Sequence, residues 1–235
     1  MLKTISWFTY LWWSMLIPRF KLMKLNRLGK IAERDACAHE IARRWAQSGL
    51  KMNGSSIHLS GIENVPKTGG VLFVSNHQSN FDIPILIGYV PRDKGFIAKL
   101  ELLKVPTFSR WMKYIGCIFI DRKDPRQSLM AISEAAEQLK AGHSIVIFPE
   151  GTRSADGTVG PFKAGGLRLA IKAAVPIVPV TISGSKNIMP KGTSLIRSAK
   201  VNVIISPPLL PGEFKEMDSN QISEKVRNII ISNLE

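Results

Sequence analysis

Val71-Leu72-Phe73-Val74-Ser75-Asn76-His77-Gln78-Ser79-Asn80-Phe81-Asp82 decides how this chain is read. Four consecutive apolar residues, two of them valines, have the texture of a strand covered on both faces, as in a parallel sheet layered by helices. The run breaks at once into polar Asn76-His77, and an acid follows five residues after the His. A strand ending in this way places an imidazole at the edge of the sheet with a carboxylate nearby. Such a pair can take a proton from a hydroxyl near neutral pH. No Ser or Cys nucleophile motif competes with it. Taken alone, a His in this setting is more often a hydrogen-bonded structural residue than a base, so the rest of the chain must decide.

Outward from this stretch, short apolar runs alternate with helical patterns. Strands are expected near 56–60, 71–75, 95–98, 117–121, 144–148, 177–183 and 200–206, and helices near 80–88, 106–114, 126–140, 163–173 and 219–233. Such alternation predicts an α/β fold, a mixed, largely parallel sheet of about seven strands flanked by helices. In these folds the strand ends and the loops after them carry the chemistry. At 235 residues the chain suffices for one sizeable core. The paired cysteine frameworks of secreted scaffolds and zinc sites are absent: Cys37 and Cys117 form no ligand set, which fits a reducing compartment.

The formal charge of +14 is unevenly spread. Residues 1–51 hold ten Lys/Arg against Glu33, Asp35 and Glu40. A basic segment of this kind seeks polyanions, nucleic acid or an anionic membrane surface. Its apolar residues favour the membrane. Ile5 to Ile17 carries no charge and includes Trp7, Tyr10, Trp12 and Trp13, and after Pro18 come Arg19, Lys21, Lys24, Arg27 and Lys30. The run is shorter than the roughly 20 residues of a spanning helix. Trp and Tyr sit well at the headgroup level while Lys and Arg meet lipid phosphates. We therefore expect an interfacial or re-entrant helix, followed by a second helix over 29–48 that stops at Gly49. This gives a two-helix membrane-binding motif over 1–52 and an α/β domain over 53–235.

Three further strand ends carry polar residues. Gly116-Cys117-Ile118-Phe119-Ile120-Asp121-Arg122 delivers a guanidinium to the end of an apolar strand. Ile145-Val146-Ile147-Phe148 runs into Pro149-Glu150-Gly151-Thr152-Arg153-Ser154. Gly151 permits a positive φ or a close backbone approach. Arg153 can grip a phosphate in two-pronged fashion. Downstream, Phe162-Lys163-Ala164-Gly165-Gly166 opens a helix whose free N–H groups also favour anions. The spacing does not fit a nucleotide P-loop. Val175-Pro176-Ile177-Val178-Pro179-Val180-Thr181-Ile182 reads as the start of a strand or a sheet edge, forming a wall of the site. One base, one acid and several cations for a phosphate suit a phosphorylated alcohol that attacks an activated acyl group.

The blocks NHQSNFD, GCIFIDR, FPEGTRS and VPIVPVTI, in this order and spacing, resemble the glycerolipid acyltransferase family, and within it the bacterial lysophosphatidic acid acyltransferases. The resemblance covers about residues 55–210. It implies transfer of a fatty acyl chain from acyl-CoA or acyl-carrier protein to the sn-2 hydroxyl of lysophosphatidic acid, giving phosphatidic acid. It also implies His77 as general base and Asp82 as its orienting acid. Arg122, Glu150, Gly151, Thr152 and Arg153, joined by Lys99, would hold the substrate phosphate. A backbone N–H near Gly151 is the expected oxyanion donor. No metal or organic cofactor is expected, and no nucleic-acid partner. The partners are membrane lipids and the acyl donor, at the cytoplasmic face of the cell (inner) membrane. Within the family the rivals are sn-1 transfer to glycerol 3-phosphate and acyl transfer to another lysophospholipid. Outside it the rival is a metal phosphohydrolase using His77, Asp82, Glu101 and Glu150, which is short of ligands.

Overall fold

The computed structural model describes residues 2–16 and 18–234, so Ile17, the end of the expected apolar run, lies outside the described residues. Among the described residues the apolar runs form seven strands: β1 (Ser56–Ser60), β2 (Val71–Ser75), β3 (Lys94–Lys99), β4 (Ile118–Ile120), β5 (Ser144–Ile147), β6 (Ile177–Ser183) and β7 (Lys200–Ile205). They make one sheet in the order β1-β7-β6-β2-β5-β3-β4. Only β6 and β7 pair antiparallel; the other neighbours are parallel. The expected mixed, largely parallel sheet is therefore the one observed.

Eight helices cover it: α1 (Leu2–Leu16), α2 (Arg19–Arg27), α3 (Ile31–Met52), α4 (Asp82–Tyr89), α5 (Pro106–Tyr114), α6 (Pro125–Lys140), α7 (Arg168–Ala173) and α8 (Ser219–Ser232), counting described residues. β2 shows why the first-quoted stretch governs the fold. Its residues are all buried, with Val71 and Phe73 pointing into one cluster and Leu72 and Val74 into the other. The first cluster contains Leu22, Ala38, Ala42, Ile85, Leu86, Trp111 and Met112, contributed by α2 to α5. The second gathers Ala135, Leu139, Leu169, Val226 and Ile230, from α6 to α8. Burying the Phe73 side chain completely contributes about 2–3 kcal/mol on an area basis.

Several details depart from the sequence reading. The N-terminal unit has three helices, because Pro18 starts α2 as its N-cap, with a φ of −71° that suits a helix entrance. Gly49 does not stop the second expected helix. It lies inside α3, where a Cβ would come 3.2 Å from the Trp7 indole nitrogen, so it permits close packing of α1 on α3. Leu22, Ala38, Ala42 and Leu50 lie in the same buried cluster as Phe73 and Val178, so residues 1–52 and 53–235 share a core. The helix expected over 163–173 is α-helical only from Arg168, after a tight 3₁₀ turn at Ala164–Gly166.

β6 is not an edge. It lies between β7 and β2, and Pro179 pairs with Val74. A proline is tolerated there because the ladder to β7 begins only at Val180 opposite Ile205. Nor does β6 wall the cavity described below. Its role is to hold the end of β2. The Asn76 side chain donates to the Ile182 carbonyl and accepts from the Ile182 N–H, both at 2.8 Å, where the β2–β6 ladder has run out. At the far end of α4, the buried Lys94 ammonium donates to the carbonyls of Leu86, Val90 and Arg92. Burial pushes its pKa down to about 7, with Asp93 pulling it up and Arg43 and Arg92 pushing it further down. These two clasps fix the loop and helix that carry the His and the acid.

Candidate active site

The chain leaves β2 at Ser75 and reaches α4 at Asp82 through a loop in which the polar Asn76, Gln78 and Ser79 are buried. Asp82 opens α4, where a carboxylate suits the unpaired N–H groups and dipole of a helix start. Its Oδ2 lies 2.7 Å from His77 Nδ1 and accepts from the N–H of Gln78 at 2.7 Å and of Ser79 at 2.8 Å. The acid is fully buried, while the His77 side chain keeps 15% of its surface exposed. Asp82 thus fixes the ring orientation and sets the proton on Nδ1, leaving Nε2 for a reacting group.

His77 is held from three other directions. Its N–H donates to Glu150 Oε1 at 2.8 Å, and its carbonyl accepts from the Ser154 N–H at 2.7 Å. The imidazole stacks on Phe148, with ring centroids 4.1 Å apart and planes 19° off parallel. Phe148 and Glu150 follow β5, the neighbour of β2 in the sheet, so parallel pairing brings the two loops together. Glu150 is buried, and its other oxygen accepts from the Gly160 N–H at 3.1 Å. Burial pushes its pKa above the usual carboxylate range, and the two N–H bonds oppose that rise.

A cavity of about 350 Å³ opens beside the imidazole. Six of the eight expected site residues line it: His77, Lys99, Arg122, Gly151, Thr152 and Arg153. The other two, Asp82 and Glu150, stand behind His77. The cations come from three strand ends, Lys99 from β3, Arg122 after β4 and Arg153 after β5. Arg122 Nη1 donates to the Gly151 carbonyl, and Gly151 adopts a φ of +72° that a side chain would resist. Among the described residues no carboxylate lies within ion-pair distance of Lys99, Arg122 or Arg153. Away from this end the walls are apolar, with Ile41, Ile83, Phe96, Trp111 and Ile115 among them. Ser14 of α1 and Trp45 of α3 also contribute, so the N-terminal helices form part of the site.

The Gly151 N–H donates to the Phe148 carbonyl at 3.0 Å and closes a turn. An oxyanion donor in this loop must therefore come from its neighbours. Four features escaped the sequence reading: the Asn76 clasp, the Phe148 stack, the Glu150 brace behind His77, and the cavity wall from α1 and α3. The unbroken apolar run Ile145–Phe148, ending at the polar turn, could have flagged Phe148; nothing local flags the others. Among the described residues no group of three or more His, Cys, Asp or Glu is placed to hold a metal ion.

This geometry agrees with what comparison with known proteins finds. The family model named Acyltransferase matches residues 56–183. The 1-acyl-sn-glycerol-3-phosphate acyltransferase of Borreliella burgdorferi is 30% identical over 195 residues, covering 83% of this chain and 78% of its own. A chloroplastic enzyme of that name from Brassica napus is 37% identical over 173 residues, and the match spans 73% of this chain but only 50% of that longer protein. The crystal structure of PlsC, a 1-acyl-sn-glycerophosphate acyltransferase from Thermotoga maritima, superposes with a TM-score of 0.86 at 29% identity. The superposition covers 97% of this chain and 92% of that one. The chain belongs to the acyltransferase family whose members include these enzymes.

Proposed function

We propose that this protein transfers a fatty acyl group from acyl-CoA or acyl-carrier protein to the sn-2 hydroxyl of lysophosphatidic acid, giving phosphatidic acid. The observation that carries the reading is the His77–Asp82 pair at one end of an apolar cavity, beside cations without carboxylate partners. The names of the relatives point to the same acceptor. His77 Nε2 takes the hydroxyl proton as the substrate oxygen bonds to the thioester carbonyl carbon. The carbonyl oxygen becomes an oxyanion. When it collapses, the carbon–sulfur bond breaks and the imidazolium returns the proton to the leaving thiolate. No acyl-enzyme forms, because the acceptor alcohol occupies the place a serine holds in hydrolase triads.

Lys99, Arg122, Gly151, Thr152 and Arg153 hold the glycerol phosphate in this scheme. Glu150 serves it indirectly, by fixing the His77 backbone and the 150–160 loop. The N–H groups of Thr152 and Arg153 are the oxyanion donors we favour, since that of Gly151 is engaged. No metal or cofactor takes part. The deciding experiment is an acyl-transfer assay with detergent-solubilised protein, lysophosphatidic acid and glycerol 3-phosphate as acceptors, and both donor types. Transfer to glycerol 3-phosphate alone would replace the sn-2 reading by the sn-1 one. In the same assay Arg153→Ala is expected to raise the KM for lysophosphatidic acid roughly 10-fold or more, by loss of a charge-assisted contact. An equal loss with a phosphate-free lysolipid would remove Arg153 from phosphate binding.

The same reading places the protein on the cytoplasmic face of the cell membrane, where both donors and a bilayer-borne acceptor meet. No helix among the described residues is long and apolar enough to cross a membrane. The N-terminal segment instead exposes Ile5, Trp12, Trp13, Phe20 and Leu28 beside the basic run from Arg19 to Lys30. A surface of this composition suits the headgroup plane of anionic lipid. Trp12→Ser with Trp13→Ser is expected to weaken sedimentation with anionic vesicles roughly 10-fold, from the apolar area withdrawn. Unchanged vesicle binding would place the membrane contact elsewhere.

A further inference from the structure

We propose that Lys163 binds the acceptor's phosphate, pairing with Arg122 across Gly151 to select a phosphomonoester over a phosphodiester; this rests on the lysophosphatidic acid reading above. Lys163 sits just ahead of the Ala164–Gly166 turn, and its N–H donates to the Pro149 carbonyl at 3.0 Å. That bond fixes residue 163 beneath the loop that carries Gly151. A Cβ at Gly151 would stand 3.1 Å from Arg122 Nη1 and 3.2 Å from Lys163 Nζ. Both cations therefore close on the same face of a residue that has no side chain to keep them apart.

Two positive groups this close repel each other, and a nearby carboxylate would ordinarily offset that cost. Among the described residues neither has a carboxylate within ion-pair distance. Glu150, adjacent to Gly151 in sequence, has both oxygens on the N–H groups of His77 and Gly160. The pair is thus arranged for an external anion. Arg122 and Gly151 line the cavity while Lys163 does not, so Lys163 meets the acceptor at its headgroup end, outside the apolar walls. A phosphomonoester carries close to two negative charges at pH 7, because its second pKa is about 6. A diester carries one. A guanidinium on one side and a compact ammonium on the other can address separate phosphate oxygens, and the second cation adds most where the second charge exists.

The test compares wild type, Lys163→Ala and Lys163→Arg in acyl transfer to lysophosphatidic acid and to its phosphate methyl ester, with folding checked by thermal melting. The exposed position of Lys163 makes both variants compatible with the fold. Lys163→Ala is expected to raise the KM for lysophosphatidic acid roughly 10- to 30-fold with kcat within about 3-fold of wild type. The preference for the monoester over the methyl ester should shrink accordingly, and Lys163→Arg should restore most of it. A Lys163→Ala KM within about 2-fold of wild type overturns the assignment, as does an equal loss on both acceptors. Wild-type protein inactive toward lysophosphatidic acid would sink the acceptor reading and Lys163 with it. Active wild type with an indifferent Lys163→Ala sinks Lys163 alone.

Discussion

His77→Ala is expected to lower acyl-transfer turnover at least ~100-fold, the usual size of a lost general base. The expectation stands on geometry. Asp82 fixes Nδ1, the Phe148 ring fixes the plane, and Nε2 is the one ring nitrogen left on a residue that lines the cavity. The fold should survive the change. The backbone of residue 77 is clasped by Glu150 and Ser154 through its own N–H and carbonyl, contacts an alanine keeps. Melting should shift by only a few degrees, as expected for a ~1 kcal/mol loss at a partly exposed position. Turnover is to be measured at saturating lysophosphatidic acid, so that weakened binding does not imitate lost chemistry. Turnover near that of wild type would remove His77 from the mechanism.

How much of this was legible in the sequence follows from what each feature depends on. β2, β5 and β6 were readable because burial on both faces demands unbroken apolar runs, and few other structures tolerate them. The residues at the ends of those strands were readable as a set because parallel pairing carries strand ends to one edge of the sheet. The identity of β6 as an inner strand was not. Its two prolines argue locally for an edge, and only the late start of the β7 ladder makes room for Pro179. Asn76 and Ile182 are 106 residues apart, and no local pattern announces their clasp. Glu150 shows the limit for chemistry. Its place between Pro149 and Gly151 suggests a group facing substrate, yet the fold turns it inward onto the His77 and Gly160 N–H groups. Gly49 shows the same for helices: a glycine near an expected end proved to be a packing contact for Trp7.

Asp82→Asn is expected to lower turnover ~10²- to 10³-fold while keeping the fold, and it separates the charge of Asp82 from its shape. One carboxylate oxygen, Oδ2, takes all three contacts, from His77 Nδ1 and the N–H groups of Gln78 and Ser79. The other, Oδ1, is buried with no hydrogen-bond partner among the described residues. An asparagine can place its amide oxygen where Oδ2 was, because two N–H donors favour an oxygen there. Its NH₂ then takes the Oδ1 position, at a cost of about 1–3 kcal/mol for an unmet buried donor. The ring keeps its tautomer and orientation, and what is lost is the negative charge that stabilises the imidazolium as the proton arrives. That is why the loss should be smaller than where the wrong tautomer is also imposed. Asp82→Ala serves as the contrast, since it strands the Gln78 and Ser79 N–H groups and should lower the melting temperature more than the asparagine does. If folded Asp82→Asn keeps turnover within about 3-fold of wild type, the charge is not used, and Asp82 is only the clasp that closes the loop between β2 and α4.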